Sequence, residues 1–139
     1  MEKVINILLI EDDLVDVMDA QRTLDRVGLF YKMKVSKNGE EALEWLASLG
    51  DDKSKFPDVI LLDLNMPKMN GLEFLKVLRS TPIWRDIRVF IITTSEQQED
   101  RALTNKLGVS GYIVKPLKFN NPSSIDSFNL MIDLMNIKK

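Results

Sequence analysis

The chain contains no cysteine and no histidine. Without cysteine there are no disulfides, no thiolate metal site and no cysteine nucleophile, a usage that fits a reducing compartment. Without histidine the Ser-His-Asp triad, the zincin helix and imidazole acid–base catalysis all fall away. Long apolar runs are missing too: nothing approaches the roughly 18 residues of a membrane span. The stretch from Val4 to Ile10 is too short for a signal peptide and has no small-residue cleavage site after it. Neither sign of charge dominates. Nineteen Lys and Arg stand against 21 Asp and Glu, a net charge of −2, so no basic surface points to nucleic acid. These absences predict a cytoplasmic protein with neither a membrane nor a nucleic-acid partner. Any chemistry must rest on carboxylates, hydroxyls, Lys, Arg or a metal held by oxygen.

What remains is an ordinary globular composition, 45% hydrophobic and 29% charged over 139 residues, which suits one domain spanning residues 1–139. Five short apolar runs recur, at Ile5–Ile10, Lys32–Ser36, Val59–Leu62, Arg88–Ile92 and Gly111–Val114. Between them lie segments with helical spacing. Leu14, Val17, Met18, Leu24 and Val27 trace one face of a first helix that stops before Gly28. Ala42, Leu43, Leu46 and Leu49 mark a second, and Leu72, Phe74, Leu75 and Leu78 a third. Ala102, Leu103 and Leu107 mark a fourth, and Ile125, Phe128, Met131, Ile132, Leu134 and Met135 a fifth behind a Ser123 or Ser124 cap. Gly50-Asp51-Asp52-Lys53-Ser54-Lys55 reads as the flexible surface segment. Five strand–helix alternations predict an α/β doubly wound fold. Its five-stranded parallel sheet takes the order 2-1-3-4-5, with helices on both faces.

In such sheets ligands bind beyond the carboxyl ends of the strands. The residues found there are Glu11, Asp12 and Asp13 after the first strand and Asp63 after the third. Thr93, Thr94 and Ser95 follow the fourth, and Lys115 the fifth. Neighbouring first and third strands bring two or three carboxylates together. Two ionised carboxylates about 4 Å apart repel by roughly 4 kcal/mol at an effective dielectric near 20. Lys115 offsets part of that, and the remainder suits a hard divalent ion such as Mg²⁺. The ion would neutralise phosphoryl oxygens and leave the Asp63 carboxylate free to attack phosphorus, with Thr93 and Lys115 bonding the transferred group. Each residue alone has a plainer reading. Glu11-Asp12-Asp13 suits a helix N-terminus, Thr93 a strand interior, Lys115 a solvated strand end and Tyr112 a packing residue. Pro67 and Gly71 read as shaping the turn into the third helix.

Together these pieces resemble the response-regulator receiver domains of two-component signalling, with the flavodoxin-like fold of the CheY-like type. The matching segments are Ile10-Glu11-Asp12-Asp13, Asp63 through Gly71, Thr93-Thr94-Ser95, and Gly111-Tyr112-Ile113-Val114-Lys115-Pro116. The stand-alone flavour is similar to phytochrome-linked regulators. The resemblance implies that Asp63 is phosphorylated by a partner's phosphohistidine. It also implies Mg²⁺ bound by Asp12, by Glu11 through water, by Asp63 and by the Asn65 carbonyl. Thr93 and Tyr112 become switch residues, Lys115 pairs with the phosphoryl group, and the Lys115–Pro116 bond is cis. Glu11 stands where Asp is commoner, Leu117 where Phe is frequent, and Asp13 is an extra acid. The implied partners are a sensor histidine kinase or histidine phosphotransfer protein and a downstream protein target. With no output domain expected, a homodimer through the last helix is a further expectation. The rival readings are a phosphatase-like hydrolase with an aspartyl nucleophile and a pseudo-receiver interaction module that works without phosphorylation.

Overall fold

The computed structural model describes residues 4–64, 66, 68–93 and 98–114, together with Asn129 and Asp133; for residues 93, 98–100 and 114 it describes the backbone alone. The elements run β1 (Ile5–Ile10), α1 (Leu14–Arg26), β2 (Tyr31–Ser36), α2 (Gly39–Ser48), β3 (Val59–Asp63), α3 (Gly71–Ser80), β4 (Arg88–Thr93), α4 (Gln98–Lys106) and β5 (Gly111–Val114). All strand pairs are parallel and the order is β2-β1-β3-β4-β5, the expected topology.

Alternation along the strands splits the core into two layers. Leu8, Ile10, Ile60, Leu62, Val89 and Ile91 face Ala42 and Leu46 of α2 and Phe74, Leu75 and Leu78 of α3. Ile7, Leu9, Val59, Leu61, Phe90 and Ile92 face Val17, Ala20 and Leu24 of α1. β3 is buried along its whole length, which explains its unbroken apolar run. Each such side chain removed from water contributes about 2 kcal/mol. β2 lies at an edge and alternates half-buried Tyr31, Met33 and Val35 with exposed Lys32 and Lys34, charges that discourage pairing with another sheet.

Two expectations change. The inward face of α1 is Val17, Ala20, Thr23 and Leu24, while Leu14 is 72% and Met18 41% exposed. The 3.6-residue period admits either stripe. Packing on the sheet selects the one with small Ala20, which lets the helix approach closely. On α4 the buried residue among those described is Thr104, whereas Ala102 and Leu103 face outward. The segment from Gly50 to Lys55 contains a single 3-10 turn, Lys53–Lys55. Asp52 caps it, its carboxylate accepting from the Ser54 backbone N–H and hydroxyl. The expected fifth helix and its cap fall outside the described residues, except that Asn129 and Asp133 are helical and exposed.

Candidate functional site: an acidic cluster at the strand ends

Register gathers the acids. Ile10 pairs with Leu62 between β1 and β3, so Glu11 and Asp63 leave adjacent strands at the same level. The carboxylate oxygens of Glu11, Asp12 and Asp63 lie within 4.8 Å of one another. Glu11 and Asp63 are buried at 3% and 4% exposure, and Asp12 is exposed. At that separation each ionised pair repels by roughly 3.5 kcal/mol at an effective dielectric near 20.

Local structure separates the three consecutive acids by job. Glu11 is anchored through its backbone N–H, which donates to Ser36 O at 2.9 Å, and its carboxylate accepts from the Asp13 N–H at 3.2 Å. Asp13 caps α1, its Oδ1 accepting from the N–H groups of Val15 and Asp16 at 2.8 and 3.3 Å. The helix-terminus reading therefore holds for Asp13, while Asp12 stays beside the other two carboxylates. Asp13 is outside the cluster, as the sequence suggests.

The loop after Asp63 is clamped from both sides. The Gly71 N–H donates to Leu64 O, and the Gly39 N–H at the start of α2 donates to Met69 O. A β-carbon on Gly71 would stand 2.5 Å from Asp63 O and 2.7 Å from Leu64 Cα. Gly71 is thus more than a turn former: its missing side chain lets α3 start against the backbone of the acid itself. Lys68 sits at φ 60°, a left-handed conformation that a non-glycine residue seldom adopts. Asn70 closes the turn with a reciprocal capping box to Glu73.

Of the other predicted site residues, Thr93 ends β4 opposite Val114, the residue before Lys115. The Thr93 side chain, Asn65, Lys115 and Pro116 lie outside the described residues. Tyr112 is half-buried on β5, and its hydroxyl points to α4. It is bonded to the Thr104 hydroxyl and sits 3.0 Å from both Arg101 O and Asn105 Oδ1. The Arg101 guanidinium lies 4.9 Å from the ring centre. Sequence reasoning missed Arg101 and Thr104. A threonine on the helical stripe of Leu107 was the available sign.

Three hard carboxylate donors, one reachable by water, suit a divalent cation that keeps part of its hydration shell. A parallel sheet in this order, with an acid cluster at the ends of the adjacent strands β1 and β3, is the architecture of a receiver-type module. The response regulator receiver domain family matches residues 7–123, and the chain belongs to that family. It is 33% identical over 110 residues to response regulator Rcp1 of Synechocystis, covering 78% of this chain and 75% of that protein. The fold is similar to a Mn²⁺-bound form of Rcp1 (TM-score 0.73, 29% identity, 92% and 91% of the two chains covered). It is also similar to the phosphorylated cyanobacterial phytochrome response regulator RcpA (TM-score 0.76, 30% identity, 94% and 92% covered). The chain is a receiver of phosphorylation-based two-component signalling, a family that takes phosphoryl groups from histidine kinases and acts on downstream targets. Such domains are generally signalling proteins without catalysis beyond their own phosphorylation. Among the described residues no helix is long and apolar enough to cross a membrane.

Proposed function

We propose that Asp63 is the phosphoacceptor and that Glu11, Asp12, Asp63 and the Asn65 carbonyl hold Mg²⁺. The observation that carries this reading is the buried Asp63 carboxylate within 4.8 Å of two other carboxylates at the rim of the sheet. An oxygen of Asp63 attacks phosphorus, the P–N bond of the donor phosphohistidine breaks, and the imidazole leaves with the electron pair. Held by these residues, Mg²⁺ would neutralise carboxylate and phosphoryl oxygens and so lower the like-charge repulsion between Asp63 and the incoming group. Lys115 pairs with the transferred group, and Thr93 hydrogen-bonds it. The 139 residues contain no histidine, so the donor lies outside them. A sensor histidine kinase or a histidine phosphotransfer protein is the donor in this proposal. The added charge of roughly −1.5 to −2 draws Thr93 toward the site, and the Tyr112 ring moves into the space it leaves. The changed face around α4 and β5 then contacts a downstream protein or a second copy through the last helix. The position of Asp63 on β3 weighs against a hydrolase that carries its nucleophile after the first strand.

Incubation with acetyl phosphate and Mg²⁺ followed by mass spectrometry tests the assignment. One phosphoryl adduct is expected, lost on chelation and absent from Asp63→Asn. An undiminished adduct in Asp63→Asn overturns it.

A further inference from the structure

At the opposite end of the sheet from the acids lies an open cavity of about 450 Å³. Its wall comes from the end of α3, the loop into β4, and the end of α4 with the loop into β5. Arg79, Arg85, Arg88 and Lys106 line it against one acid, Asp86; Arg88 has a partner of its own, which leaves Arg79, Arg85 and Lys106 as the charges that face the cavity. Helix dipoles account for two of them, since Arg79 and Lys106 occupy the last turns of α3 and α4. Arg85 has no such explanation. Arg85 and Lys106 are exposed and make no ion pair among the described residues.

Arg79 is a fixed charge. Its Nε donates to Leu107 O at 2.6 Å, Nη1 to Arg85 O and Ile87 O at 2.9 and 2.8 Å, and Nη2 to Gly108 O at 3.1 Å. A guanidinium has five N–H donors, so these four bonds leave one Nη2 hydrogen over. Burial holds its pKa below the ordinary arginine value, which means its charge is incompletely solvated where it sits. An anion entering the cavity meets this held cation without first paying to order it.

We propose that this cavity binds a small phosphate-bearing anion, up to the size of a nucleotide. The volume lies within the range of about 300–1,000 Å³ seen for small-molecule sites. The exposed Arg85 guanidinium, with the Lys106 ammonium and the remaining Nη2 hydrogen of Arg79, favours a multiply charged phosphate over a lone carboxylate, because a planar donor pair matches two of its oxygens. The proposal does not depend on Asp63 being phosphorylated, since the two sites lie at opposite strand ends.

The test is a titration of the whole chain with pyrophosphate under chelation of divalent ions, at ionic strength held constant with chloride. The Gly108 and Ser110 amides report by NMR. Their shifts are expected to saturate, and Arg85→Ala with Lys106→Ala is expected to weaken binding by roughly tenfold or more. Asp86→Asn, which removes the opposing charge, is expected to tighten it severalfold. The proposal falls if the shifts grow without saturating, if the double variant binds equally well, or if the response centres on residues 11–13. It also falls if an acidic polyglutamate peptide binds more tightly than pyrophosphate, which would make the surface a docking site for protein.

Discussion

Replacing Gly71 by alanine tests whether the acid cluster depends on how closely α3 approaches β3. Helix propensity alone favours alanine over glycine by about 1 kcal/mol. Gly71 also has no left-handed φ for alanine to strain. Both considerations predict a more stable protein. The opposing effect is steric: the new β-carbon would meet Asp63 O at 2.5 Å and Leu64 Cα at 2.7 Å. Both are backbone atoms, which no rotamer change moves away. Relief requires shifting the first turn of α3 or the end of β3, and overpacking of this sort costs about 1–3 kcal/mol. We expect the steric effect to win, with a net loss on the order of 1 kcal/mol. In urea that lowers the unfolding midpoint by about 0.5 M at an unchanged slope near 2 kcal/mol/M. Because the displaced atoms belong to Asp63, divalent-cation affinity measured by calorimetry falls as well. A midpoint that rises, or one that falls while cation affinity stays at the wild-type value, refutes the reasoning.

Asn70→Ala removes the acceptor that Glu73 N–H uses at 2.9 Å and half of the capping box, so stability should fall by about 1 kcal/mol in urea unfolding. Arg79→Lys leaves one ammonium to serve four carbonyls; a loss of about 2–3 kcal/mol is expected, and a change within error would show that the network adds nothing. Burial first, and then the hydrogen bond and charge of Asp25, push the Tyr31 phenol from 10.0 to about 12. The folded state thus holds this proton more tightly than the unfolded one. That stability is complete below pH 10 and lost as pH rises toward 12. Tyr31→Phe should therefore flatten the decline of the urea midpoint between about pH 9 and 11.5, and an unaltered decline would exclude Tyr31 as its source.

The alternation of apolar runs and helical spacing determined the sheet, its order and the ends at which Glu11, Asp12 and Asp63 emerge, because strand burial and crossover handedness leave few other arrangements. The division of labour among the acids was not legible in the same way. Asp13 turns back to cap α1, and only the backbone path at that turn separates it from Asp12. Helix faces were legible where a single apolar stripe existed, as in α3. They were not on α1 and α4, where Leu14, Met18 and Leu103 offered a stripe that packing left in water. The tertiary structure alone decided the roles of Gly71 and Arg79. One is fixed by a backbone contact across the β3–α3 loop, the other by carbonyls 28 and 29 residues further along the chain. Local sequence carries the period of an element and the chemistry of its ends. Distances between backbones brought together by folding carry no such periodic signal, so they appear only when the layers have packed.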